Sequence, residues 1–90
     1  MRGNTVIVRA YGDEPLALKV WETTEDRIYV CDDERYQRLL VWGAKPDCFP
    51  VAFPRENVYH YDKKLFDVVK ENHKSDPSVW NKLKILDQDQ

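Results

Sequence analysis

Apolar and polar residues alternate with a period of two through most of the first sixty positions, and with a helical period after them. Thr5 to Tyr11 is rich in β-branched residues. Val6, Val8 and Ala10 share one face, and Ile7, Arg9 and Tyr11 share the other. Gly12-Asp13-Glu14-Pro15 is turn chemistry. Leu16, Leu18 and Val20 form the apolar row of a second strand, opposed by Ala17, Lys19 and Trp21. After the polar run Glu22 to Asp26, Arg27 to Cys31 returns with Ile28 and Val30 inward. The two runs predict an antiparallel hairpin, with Trp21 near Tyr29 across it.

Asp32-Asp33-Glu34 then predicts a helix start. An aspartate caps the first turn, and the further acids favour its positive end. Tyr36, Leu39 and Leu40 supply an amphipathic face, and Gly43 supplies the stop, which places a short helix near residues 33–42. Ala44 to Phe49 reads as loop. Val51 to Phe53 is a short strand, closed by Pro54, which has no amide donor. Pro54-Arg55-Glu56-Asn57 is turn or 3₁₀ material, and Val58 to Tyr61 is the last strand. Asp62 caps a helix over Lys63 to Lys74 with Leu65, Phe66, Val69 and His73 on one face. Lys63 with Asp67, and Glu71 with Lys74, stand at ion-pair spacing. Ser75-Asp76-Pro77 opens a second helix carrying Val79, Trp80, Leu83 and Leu86. Asp87 to Gln90 are expected to fray.

The order of short strands closes with Phe53-Pro54-x-x-Asn57-Val58-Tyr59. This resembles the end of a Src-homology-3-like barrel, where a Phe-Pro-x-Asn-Tyr-Val segment makes a 3₁₀ turn into the last strand. Ala10-Tyr11-Gly12-Asp13-Glu14 resembles the Tyr-rich, acidic start of the same fold. The resemblance covers about a dozen residues. The chain has one extra residue before the asparagine, lacks the adjacent Trp pair of peptide-binding members, and inserts a helix. The family's Pro-rich ligand is therefore not carried over. The fold expected is mainly β with C-terminal helices (α+β): a small antiparallel barrel of about five strands over residues 1–62, then a helical pair over 63–90 packed on the barrel or on a partner.

Composition narrows the function classes. Ninety residues make one small domain, and 42% hydrophobic residues suffice for a core. With 14 basic and 16 acidic residues the net charge is −2, without the basic excess of a nucleic-acid binder. No apolar run reaches the roughly 18 residues of a membrane span. No signal-peptide core is seen near Met1, so the cytoplasm is the expected location. There Cys31 and Cys48 are expected to be reduced and buried.

Catalytic and metal chemistry find little support. Cys31, Cys48, His60 and His73 lie singly, 12 to 17 positions apart, without the close pair of a zinc site. Cys31 with His60 lacks a third member. The three glycines form no phosphate loop. Asp32, Asp33 and Glu34 lack the spacing of a calcium loop and serve better as a helix start. No cofactor is expected.

The aromatics carry more. Tyr11, Trp21, Tyr29, Tyr59 and Tyr61 all fall on the second face of their strands. Either the helices cover that face as a second core, or part of it stays open as a binding surface rimmed by Arg9, Arg27 and Arg55. Trp80 on the tail helix is a further candidate anchor. Trp42 either plugs the barrel end or stands exposed. The reading is a non-enzymatic module that binds another protein or its own copy. A nucleic-acid-associated barrel is the alternative, and a small enzyme comes third.

Overall fold

The computed structural model describes residues 2–43 and 49–86. The expectations for Cys48, for most of the Ala44–Phe49 loop and for Asp87–Gln90 lie outside these residues. Five strands are present: β1 (Thr5–Arg9), β2 (Pro15–Thr23), β3 (Arg27–Cys31), β4 (Val51–Pro54) and β5 (Val58–His60). Two α-helices, α1 (Asp33–Trp42) and α2 (Lys63–Asn72), and three 3₁₀ turns complete the described chain.

The strands form one antiparallel sheet in the order β4-β3-β2-β1-β5. It is not closed into the expected barrel, because no ladder joins β4 to β5. It must nevertheless curl. Only the 3₁₀ turn Arg55–Asn57 links those two edge strands. A chain from Pro54 to Val58 reaches at most about 14 Å, whereas four strand spacings in a flat sheet need roughly 19 Å.

The inner core shows the same curl. Val6 and Val8 of β1, Val20 of β2, Ile28 and Val30 of β3 and Val58 of β5 pack together. Leu18 and Phe53 flank them, so all five strands contribute and no α-helix does. The sheet covers its own inner face. Among the described residues Leu86 is the only non-strand member.

A second core lies on the outer face of β1 and β5. Ile7 and Tyr59 meet Val69 of α2, Val79 and Trp80 of the 3₁₀ turn Pro77–Lys82, and Leu83. Both helices are capped as their sequences require. The Asp32 side chain accepts from Arg35 N at 2.7 Å and Asp62 from Leu65 N at 3.1 Å. Gly43 stops α1 at φ 73° and ψ 178°, a region essentially reserved for glycine.

Several expectations need correction. The second tail helix is a 3₁₀ turn of six residues. Beyond it the chain runs extended: Ile85 bridges Tyr59, and His60 N donates to the Lys84 carbonyl at 2.8 Å. That extension takes Leu86 off the face of Val79 and Leu83 and into the inner core. Trp21 does not oppose Tyr29, because a bulge between Val20 and Glu22 brings Glu22 opposite Tyr29. Of the three residues expected on the apolar face of α1, Leu39 is buried, Tyr36 is half-buried and Leu40 is exposed. The ion pairs expected on α2 are not among those formed; Arg9–Asp13, Lys19–Asp33 and Arg38–Glu34 are.

Candidate functional site

The strand aromatics do not converge on one open face. Tyr59 and Trp80 are buried against each other, ring centroids 5.4 Å apart, in the second core. Trp21 is half-buried and meets Tyr36 of α1 edge-on at 5.9 Å, with the Arg2 guanidinium 4.2 Å above its ring. Tyr61 leans on Phe66 at 6.0 Å. Tyr29 is half-buried on β3 and Arg27 is exposed at its start. Tyr11 stands fully exposed in the first 3₁₀ turn.

Two of the three arginines expected to rim the patch, Arg9 and Arg55, are engaged elsewhere. Arg9 donates to Asp13 at 2.8 Å and lies 5.0 Å over Trp80. Its guanidinium holds the Asp13 carboxyl below the usual carboxylate range, with His73 adding a smaller effect of the same sign. Arg55 Nε donates to the Thr24 carbonyl at 3.0 Å, pinning the β2–β3 hairpin tip to the 3₁₀ turn Arg55–Asn57. The acidic trio is divided as well. Asp32 caps α1, Asp33 faces Lys19 at 3.9 Å, and Glu34 accepts from Arg38 at 2.8 Å.

A trough of about 540 Å³ lies between the first 3₁₀ turn and the C-terminal end of α2, lined by Tyr11, Glu14, Lys70, Glu71, His73 and Lys74. Two of its basic groups, His73 and Lys70, have local explanations. His73 Nδ1 lies 2.9 Å from the Val69 carbonyl, so that nitrogen carries a proton and donates to the helix end. Lys70 complements the negative end of the helix dipole. Two ammonium groups against two carboxylates select no ligand charge.

Besides Tyr11 and Tyr61, which is 41% exposed, further large hydrophobic side chains stand exposed elsewhere. Among the described residues, Leu40, Val41 and Trp42 at the end of α1, and Phe49 and Val51 leading into β4, are each between 49% and 69% exposed. Trp42 is thus more than half exposed rather than plugging the sheet. Arg35 Nη1, in the first turn of α1, donates to the Phe49 carbonyl at 3.3 Å. Leu40 to Trp42 lie about 8–11 Å further along the helix axis. The β4 strand is also an edge of the sheet, and no described residue forms a ladder on its outer side. The β5 edge, by contrast, is covered by residues 84–86.

No protein-family model, curated protein or solved structure matches this chain. Function therefore has to be argued from the surface itself.

Sequence reasoning passed over this face although a signal was present. Leu39-Leu40-Val41-Trp42 are four consecutive apolar residues. At roughly 100° per residue they sweep about 300° of a helix, and a single buried stripe is little more than 100° wide. Most of that run had to face outward.

Proposed function

We propose that the chain is a non-enzymatic protein-interaction module built on a small, partly open Src-homology-3-like barrel. Its contact face is the end of α1 together with the start of β4. The observation that supports this reading is the exposure of five large apolar side chains, Leu40, Val41, Trp42, Phe49 and Val51, on a polar chain. Large exposed apolar surface marks contact sites. Glu34, Arg38 and Gln37 on α1 supply a polar neighbourhood.

The barrel assignment is supported by the strand order, by the 3₁₀ turn at Arg55–Asn57 and by an inner core drawn from all five strands. The assignment to binding rather than catalysis rests on the dispersal of the ionisable groups into caps, ion pairs and a hairpin clamp. No helix among the described residues is long and apolar enough to cross a membrane.

Photo-crosslinking tests the face directly. A benzophenone side chain in place of Val41 is expected to give a discrete adduct, with another protein or with a second copy. The same group in place of Glu71, on the far helix, is expected to give none. Equal labelling from both positions, or none from position 41, would remove the reading.

A further inference from the structure

The edge of β5 that faces away from β1 is occupied by the chain itself. β1 takes one side of β5, in the register Val6–His60 to Val8–Val58. Residues 84–86 take the other side, through the Tyr59–Ile85 bridge and the hydrogen bond from His60 N to the Lys84 carbonyl. We propose that residues 84–86 are a releasable strap on a strand-addition site, and that an extended aliphatic segment of another protein takes their place when the strap lifts. This step does not depend on the α1 and β4 surface.

Three observations carry it. The first is placement. No ladder among the described residues joins β4 to β5, so the curled sheet has a seam between them, and the strap lies along its β5 side. Ile85 packs against the second core and Leu86 enters the inner core. Successive side chains of an extended chain point to opposite faces. One short segment on this edge therefore fills both cores.

The second is a conflict between local preference and conformation. Leu83, Lys84 and Leu86 are good helix formers, and the apolar spacing from Val79 through Leu86 is helical. The chain nevertheless leaves the 3₁₀ turn at Leu83, with φ −85° and ψ 149°, and runs extended. Contacts with β5 and the two cores hold it there against its own propensity. A segment held in that way belongs to the part of a fold that opens first.

The third is the chemistry of recognition. The β5 edge binds backbone, which any sequence supplies, and Lys84 itself points into solvent. What the site requires is an extended segment with two consecutive large aliphatic side chains, one for each face, and no charge. Recognition by strand addition takes this form, with main-chain hydrogen bonds for affinity and alternate side chains for specificity. Leu83 stays buried in the second core and serves as the anchor about which the strap turns.

Native-state hydrogen exchange of the full chain tests the strap. The His60 amide is expected to exchange about tenfold faster than the slowest amides of the β1–β2 ladder, through an opening smaller than global unfolding. A labelled peptide Lys-Leu-Lys-Ile-Leu, which copies residues 82–86, tests the site. Leu86→Ala loosens the strap, so this variant is expected to bind the peptide about tenfold more tightly than wild type does, because the chain's own segment competes less. Binding is expected to shift the Tyr59 and His60 amides. A peptide with Ser in place of its last Leu is expected to bind neither protein. Exchange of His60 by global unfolding alone overturns the inference, and does so whether or not Leu86→Ala folds. A folded Leu86→Ala that binds neither peptide, binds both alike, or binds no more tightly than wild type also overturns it.

Discussion

Truncating Trp80 separates a core role from a contact role. Its side chain is 3% exposed and packs with Tyr59, Val69, Val79 and Leu83. Burying an indole removes roughly 150–250 Å² from water, or about 4–6 kcal/mol at 25 cal/mol per Å². The Arg9 guanidinium over the ring adds about 0.5–1 kcal/mol. Against this, the indole Nε1 is buried without a hydrogen-bond partner, which costs about 1–3 kcal/mol. Trp80→Ala should therefore cost about 3–4 kcal/mol, within the range of aromatic-to-alanine changes in cores. A domain of this length has roughly 5–13 kcal/mol in all, so the variant should fold but be markedly weakened. Equilibrium urea unfolding measures it: the midpoint falls while the slope stays near the wild-type value. Trp80→Phe keeps most of the packing and deletes the unpartnered N–H, and should cost less than about 1.5 kcal/mol. Val41→Lys, on the exposed face, should change stability by less than about 0.5 kcal/mol. A Trp80→Ala protein within about 0.5 kcal/mol of wild type would refute the second core.

Other perturbations have defined outcomes. Asp62→Ala removes the acceptor for Leu65 N and should cost about 1 kcal/mol by thermal unfolding, with faster amide exchange in the first turn of α2. Gly43→Ala places a Cβ at φ 73° and should cost about 1–3 kcal/mol although no described residue comes within 4 Å of that Cβ, because the penalty lies in the backbone. Asp13 titrates below the ordinary aspartate value, so its pairing with Arg9 is present above that value and is lost as pH falls through the folded-state midpoint. In Arg9→Gln the Asp13 midpoint, followed by carboxyl-carbon NMR, should rise back toward the ordinary range.

Much of this fold was legible because local rules and tertiary packing agree. The alternation in Val6 to Val8 and in Ile28 to Val30 reappears as the division between the inner core and the outer face. Asp32, Asp62 and Asp76 cap where their spacing predicts, and Gly43 stops α1. The failures have particular causes. The bulge at Trp21 moves that ring toward Tyr36, and a bulge leaves no mark in a period-two pattern. Leu83 and Leu86 sit three apart, which reads as helix. Yet the chain extends after Lys82, because Ile85 gains a bridge to Tyr59 and Leu86 a place in the inner core. The exposed residues of α1 were not singled out because the outward aromatics on the strands, Tyr11, Trp21 and Tyr29, carry the stronger local pattern. In the run ending α1 only Trp42 stood out, as a plug or an exposed anchor, whereas Leu40 and Val41 are exposed with it.

The central claim is that the end of α1 and the start of β4 form the contact face. Amide chemical shifts followed on titration with the partner captured from position 41 test it most directly. The account predicts shifts confined to Leu40, Val41, Trp42, Phe49, Val51 and their immediate neighbours, with Ile7, Tyr59 and Trp80 unmoved. Shifts centred on Tyr11 and Tyr29, or no partner captured from position 41, would contradict it.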